Sequence, residues 1–191
     1  ARSGVAAESL LAPFIDGWVH RSKHAPRPAW RGEAKWDGWN KVYNLKSRQI
    51  FDYAYHPVIV DGLLYYGSSA DDKIYCLDAA TGVQRWTFFT EGPVRLAPTI
   101  AVGRVFIGSD DGHAYCLDAK SGTLIWKTQL GSRDYRIPGN SRIISRWPLR
   151  TGIVVIGDLA YCAAGMFPSE GVLITAIEAD TGKIKWQQKQ T

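Results

Sequence analysis

Five arginines, Arg133, Arg136, Arg142, Arg146 and Arg150, fall between residues 129 and 151 against a single acid, Asp134, with Tyr135 and Trp147 among them. Guanidinium groups mixed with aromatic rings are suited to hold carboxylates, phosphates or nucleic acid. Residues 19–53 repeat that composition, with eight Lys or Arg against three acids, interleaved with Trp30, Trp36 and Trp39. The plainer role for such arginines is to bridge the turn carboxylates Asp71, Asp72, Asp110 and Asp111, or to remain solvated. Those Asp pairs invite calcium, yet neither has an EF-hand-like ligand spacing, so they are expected to brace turns. His20, His24, His56 and His113 show no metal-ligand spacing. His56, just before Pro57, has at most a place facing a channel. Cys76, Cys116 and Cys162 include no CxxC or adjacent pair and read as small buried hydrophobes. No phosphate loop or GxSxG elbow occurs. No catalytic residue can be assigned; a binding surface is the chemistry that remains.

What must position these residues is a repeat. Three segments align, beginning near Val60, Ala101 and Ile156 and ending in Trp86, Trp126 and Trp186. The closing tryptophans lie 40 and then 60 residues apart, because the third unit carries insertions. In the first unit, strand A turns at Asp61-Gly62 into LLYYGS, and a Ser-Ala-Asp-Asp turn leads to KIYCLD. An Ala-Ala-Thr-Gly turn then leads to VQRWTF. Four short antiparallel strands in about 40 residues predict one blade of an all-β propeller. In the alignment, Cys76 and Cys116 share the slot of Ala176, while Cys162 falls opposite Gly67 and Gly108. The 191 residues, 46% hydrophobic and 12% aromatic, suffice for a packed core, and no run approaches 18 apolar residues, so no spanning helix is expected.

Each unit closes on one pattern: a small residue, an acid two positions on, Gly six on and Trp ten on. It appears as Cys76, Asp78, Gly82 and Trp86, as Cys116, Asp118, Gly122 and Trp126, and as Ala176, Glu178, Gly182 and Trp186. This resembles the tryptophan-docking repeat of quinoprotein-type, PQQ-like propellers, over about residues 54–188. That family includes pyrroloquinoline-quinone (PQQ) dehydrogenases and the outer-membrane assembly lipoprotein BamB. The resemblance implies that these tryptophans bridge successive blades and are structural. Independently, each Gly permits a positive φ, each acid can accept turn amides, and each indole offers a large rigid surface.

The expected division is a partial preceding blade with a long basic connection at 1–53, where Asp16-Gly17-Trp18 faintly echoes the turn. Blades follow at 54–90, 91–128 and 152–191, with an Arg-rich inserted connection at 129–151. Three blades do not close a ring, so the expected partners are further blades, from the same chain or another. In a four-stranded meander the D–A and B–C connections emerge on one face. The long connections at 19–53 and 129–151 and the insertion GMFPSE at 165–170 therefore share that face. Arg133, Arg136, Arg142, Arg146, Trp147 and Arg150 become its candidate binding residues, for another protein or an anionic ligand.

The expected function is a non-catalytic binding or scaffolding module with no cofactor of its own. One alternative, from the resemblance, is part of a PQQ- and Ca²⁺-dependent quinoprotein dehydrogenase that oxidises alcohols or sugars. Its usual vicinal cysteines and metal ligands cannot be placed on this sequence. The other alternative is a polyanion-binding surface protein; nucleic acid is not expected, since no recognised module accompanies the charge. A periplasmic or cell-surface location follows from the resemblance alone.

Overall fold

Strand pairing builds three four-stranded antiparallel meanders and one inserted hairpin in a computed structural model that describes residues 17–29, 54–139, 142–166 and 170–190. The first sheet runs β1 (Val58–Val60), β2 (Leu63–Ser68), β3 (Lys73–Asp78) and β4 (Gln84–Phe89). The second runs β5 (Thr99–Ala101), β6 (Arg104–Gly108), β7 (His113–Asp118) and β8 (Leu124–Gln129). The hairpin β9 (Arg136–Gly139) and β10 (Arg142–Ser145) comes next. The third sheet is β11 (Val154–Ile156), β12 (Leu159–Ala164), β13 (Val172–Glu178) and β14 (Ile184–Gln190). Each sheet pairs in sequence order, the meander of a propeller blade, so the fold is all-β with an open ring.

The repeat is visible in the backbone as well as in the residues. In each blade the pairing of strands C and D slips at one equivalent point, beside Cys76, Cys116 and Ala176. Arg85, Ile125 and Lys185, each just before its tryptophan, are the extra residues. Such a bulge re-aims the following side chain, and here Trp86, Trp126 and Trp186 pair directly with the small residue of strand C. The small slot is required because the indole lies across it.

Alternation along the strands gives each blade two apolar faces, which sandwich it between neighbours. Tyr65, Ile74, Cys76 and Trp86 of the first blade pack with Val105, Ile107, Tyr115 and Leu117 of the second. Phe106, Ala114, Cys116 and Trp126 pack in turn with Ala160, Cys162, Ala164 and Ile177 of the third. The outer face of the first blade, Tyr66, Tyr75 and Leu77, is covered by Trp18 and Tyr55.

One alignment needs correction. Pairing sets Tyr65, Phe106 and Tyr161 opposite Cys76, Cys116 and Ala176. Ala163 therefore takes the place of Gly67 and Gly108, and Cys162 that of Tyr66 and Ile107. A one-residue slip exchanges the two faces of a strand, which is why Cys162 points into the core between the second and third blades. Burial pushes its thiol up to about 12, and those of Cys76 and Cys116 to about 11 and 12, so all three remain neutral packing groups. The connection at 129–151 also differs from an irregular loop, since its centre pairs as β9–β10. The beginning of the chain, 1–16, the connection at 30–53 and residues 167–169 of the GMFPSE insertion lie outside the described residues.

Glycine 122 illustrates the tightness of the blade contact. Its φ is +72°, and a Cβ there would stand 2.5 Å from the ring of Trp86. Gly62 has nearly the same φ, +75°, with open space around it. Gly62→Ala is expected to cost only the left-handed penalty, about 1–2 kcal/mol. Gly122→Ala adds the displacement of a buried indole, at least about 1–3 kcal/mol more. Urea unfolding of the two variants reads that difference directly; equal losses would show that the blades do not press on this turn.

Candidate functional site

The docking residues form one contact used repeatedly. The indole N–H of Trp86 donates to the carbonyl of Ala119 at 3.1 Å, and that of Trp126 to Ala179 at 2.9 Å. Each acceptor is the residue after the motif acid of the next blade, and each ring lies on the next blade's motif glycine, Gly122 or Gly182. Trp18 does the same for the first blade, donating to Ala79 at 3.0 Å and lying on Gly82. The turn echo around Trp18 was legible in sequence; its docked position depends on tertiary packing. Trp86 and Trp126 are 9% and 7% exposed, whereas Trp186 is 44% exposed.

The receiving turn is held rigid by its acid. Asp78 Oδ1 accepts from the amides of Ala80 and Thr81 and from the Thr81 hydroxyl, each at 3.0 Å. Arg85, the bulged residue, donates to Oδ2 at 2.6 Å. Asp118 repeats this with Lys120 and Ser121. Glu178, one methylene longer, accepts from the Thr181 hydroxyl at 2.8 Å. The Arg85 guanidinium and the Thr81 donors hold the Asp78 carboxyl down at about 2, and the Ser121 donors lower Asp118.

The B–C turns carry the acid pairs, and their register differs by one residue. Asp71 and Asp111 are equivalent, each accepting from a tyrosine hydroxyl four residues on, Tyr75 and Tyr115. Asp72 then matches Gly112, and both have positive φ, 58° and 87°. Asp111 is fully buried. Burial pushes its carboxyl up, but donors from His113 and Tyr115 outweigh this and leave it below the usual range. Asp72 shifts the other way, since burial outweighs the help of Arg142.

Four of the five inserted arginines meet carboxylates. Arg136 reaches Asp134 and Glu91, Arg142 reaches Asp72 and the carbonyl of Ala70, and Arg146 reaches Glu170. Arg150 grips both oxygens of Asp110, at 2.8 and 2.9 Å. Arg133 lies over the ring of Tyr135 and has no ion pair among the described residues. Trp147 packs on Gly131 and donates to the carbonyl of Glu170 at 3.1 Å. The hairpin connection is anchored on the second blade's B–C turn, where Ser145 N–H donates to Asp110 and Leu149 N–H to Ser109.

Sequence reasoning missed Arg95, which donates to Asp110 Oδ2 at 2.7 Å and to the carbonyl of Arg27 at 2.9 Å. Its signal was one charged residue within GPVRLAPTI. Asp110 therefore ties two successive D–A connections to one turn. Arg27, Arg95, Arg142, Arg150 and Met166 then meet around a cavity of about 190 Å³.

A set of packed four-stranded blades with tandem indole docking and long connections gathered at one end defines a β-propeller of the quinoprotein-like class. Residues 27–191 match the family model described as outer membrane protein assembly factor BamB, and the chain belongs to that PQQ-like repeat family. It is 32% identical over 150 residues to the dehydrogenase subunit of alcohol dehydrogenase (quinone) from Gluconobacter oxydans, which covers 69% of this chain and 18% of that protein. It is 25% identical over 138 residues to BamB of Yersinia pestis, covering 70% of this chain and 33% of that one. Among solved structures, BamB from Moraxella catarrhalis superposes with a TM-score of 0.52 at 19% identity, over 69% of this chain and 35% of the other. The quinohemoprotein alcohol dehydrogenase from Comamonas testosteroni superposes with 0.57 at 24% identity, over 70% and 20%. The chain thus spans about a fifth to a third of the relatives it matches.

Two outcomes follow. Asp110→Asn leaves the inward guanidinium groups of Arg95 and Arg150 short of their charge partner and is expected to cost about 3–5 kcal/mol in denaturant unfolding; a loss no larger than that of an exposed change such as Lys120→Gln would remove Asp110 as the clamp. Asp78 is ionised more readily folded than unfolded, so its contribution is present above the usual carboxylate range and lost as pH falls toward about 2. An NMR titration of its carboxyl should give that midpoint, moving upward in Arg85→Ala; an unchanged midpoint would discount the Arg85 contact.

Proposed function

We propose that this chain is a section of a PQQ-like propeller that acts as a binding and scaffolding module, not as the catalytic part of a redox enzyme. The observation that supports its being a section of a larger propeller is the apolar docking surface on the outer face of the third sheet. Trp186 at 44% exposure, Val154 at 55%, Ile156 at 64% and Ile174 at 37% are the apolar groups left open there. Trp186 and Ile174 correspond to Trp126 and Ala114, which the neighbouring blade covers in the preceding interface. The occupant this favours is a further blade of the same repeat, offering a turn carbonyl to the indole and a glycine to its face. The basic connections supply a second surface, for an anionic protein or ligand. A periplasmic or cell-surface location accords with the outer-membrane assembly relative, and among the described residues no helix is long and apolar enough to cross a membrane.

The dehydrogenase alternative is favoured by the match to the quinone-dependent alcohol dehydrogenase subunit. PQQ and Ca²⁺ would be its cofactors, and the carboxylates held by the cavity's arginines fit them poorly. Asp110 already accepts from the guanidinium groups of Arg95 and Arg150, and Asp72 from that of Arg142. The polyanion alternative is weakened by the carboxylates that Arg136, Arg142, Arg146 and Arg150 already hold.

In the full-length protein, Trp186→Ala should destabilise about as much as Trp126→Ala, about 3–5 kcal/mol, if a blade covers it. A change within about 0.5 kcal/mol, as at an ordinary exposed site, would show that the face stays open. Oxidation of a primary alcohol by the full-length protein supplied with PQQ and Ca²⁺, read with a redox dye, would overturn the non-catalytic reading.

A further inference from the structure

Arginines and aromatic rings of the inserted connection pack on one another and leave one guanidinium unused. Arg133 and Arg146 both lie over the ring of Tyr135, at 5.3 and 5.1 Å from its centre, and Arg146 also lies over Trp147 at 5.6 Å. Glu170 answers Arg146, while Asp134 and Glu91 answer Arg136, and Glu91 also takes Lys127. Arg133, Arg136, Arg146 and Lys127 thus stand against three carboxylates, and the cation left over is Arg133. It is exposed, and among the described residues its guanidinium has neither an ion pair nor a hydrogen-bond acceptor.

The segment that carries Arg133 is nonetheless held on both sides. Leu130 is buried, donates its N–H to the carbonyl of Gly112 at 3.1 Å and accepts at its own carbonyl from Gln187 Nε2 at 2.9 Å. Gln129 Nε2 donates to the Gly131 carbonyl at 3.1 Å, and Trp147 packs on Gly131. Beyond Arg133, the Tyr135 N–H donates to the Arg133 carbonyl at 3.0 Å, and the Tyr135 carbonyl accepts from the Arg146 N–H at 2.8 Å. This anchorage and the cation–π contact restrict where the guanidinium can go, which lowers the entropy cost of recruiting its donors.

The surroundings decide what those donors suit. A polyanion draws on many cations at once, and here all but one are already answered. A small ligand buries most of its surface in a pocket, whereas Arg133 is exposed and Tyr135 is 39% exposed. An open arginine on an aromatic ring, beside a second arginine and a tryptophan, is the composition that dominates the energetic centre of protein interfaces. One spare charge matches one carboxylate, which a planar guanidinium takes through two parallel hydrogen bonds.

We propose that Arg133, on the ring of Tyr135, anchors a contact with another protein. It takes a carboxylate from an acidic segment of that partner, and a neighbouring aromatic side chain of the segment packs on the exposed part of Tyr135. This rests on the reading of the basic connections as a second binding surface, and it names the arginine of 129–151 that is free to serve it. Coverage of Trp186 and the redox assay are measured separately, so either result leaves this one standing.

The test is fluorescence anisotropy on the full-length protein with three labelled probes. They are a short capped peptide in which glutamates flank phenylalanines, the same peptide with glutamine for glutamate, and an oligothymidylate. The acidic peptide should bind, and the other two should bind at least about tenfold more weakly, since each lacks the single matched carboxylate. Arg133→Gln should weaken the acidic peptide about tenfold, the worth of one charge-assisted pair. Tyr135→Ala should weaken it about threefold, and Tyr135→Phe, which keeps the ring, less than about twofold. Lys120→Gln, which removes an exposed cation from a C–D turn, should change nothing. Arg133→Gln breaks no ion pair, so it tests binding without endangering the fold. Binding that survives Arg133→Gln overturns Arg133 as the anchor but keeps a basic surface, whereas no binding at millimolar peptide overturns the surface as well. Equal binding of the glutamine peptide overturns the carboxylate assignment, and equal binding of the oligothymidylate overturns the protein partner.

Discussion

Everything in this molecule hangs on an indole crossing from one blade to the next. Trp86 and Trp126 each span the gap between sheets, Trp18 docks on the first sheet in the same way, and each donates to one carbonyl and lies on one glycine. The contact joins a large apolar surface to a directional hydrogen bond, so it sets both the spacing and the register of adjacent blades. Its requirements propagate outward. The ring needs a glycine beneath it, the glycine needs a turn of positive φ, and the turn needs an acid to gather its amides. Strand D needs a bulge so that the indole points across the small slot on strand C. A single packing event therefore explains four motif positions and one backbone irregularity, repeated in three blades.

A second constraint operates where the connections gather. Long D–A segments cannot cross a blade end unless their polar groups are satisfied, and the B–C turns supply the partners. Asp110 ties Arg95 of one connection to Arg150 of the next, while Asp72 receives Arg142. The same charges that make the sequence look like a polyanion surface are thus largely structural, and the arrangement they impose encloses a cavity rather than an open basic plane. Burying such pairs costs desolvation, and the Arg–Asp forks recover it through geometry.

The blade architecture was legible because propeller repeats are local. KIYCLD and LLYYGS are β3 and β2 to the residue, since alternation and turn residues leave little freedom. The spacing of Cys, Asp, Gly and Trp also announced itself three times. What was not legible was register within a turn. Asp71-Asp72 and Asp110-Asp111 look alike as dipeptides, yet strand pairing makes Asp71 the counterpart of Asp111 and places Gly112 where Asp72 stands. Cys162 was displaced by the same one-residue ambiguity. The hairpin within 129–151 was hidden because the Pro and Gly of β9 are poor strand formers and its order comes from anchorage on the Asp110 turn.

By itself, then, the sequence determined the period and the blade type, because each is written in a pattern that recurs within some forty residues. The tertiary structure alone decided which arginine meets which carboxylate, that Trp18 docks as Trp86 does, and that Arg27, Arg95, Arg142 and Arg150 converge. Those residues lie up to 123 positions apart in the chain. Periodicity carries no information about such pairs, since a charge finds its partner through the packing of blades and not through its place in a strand.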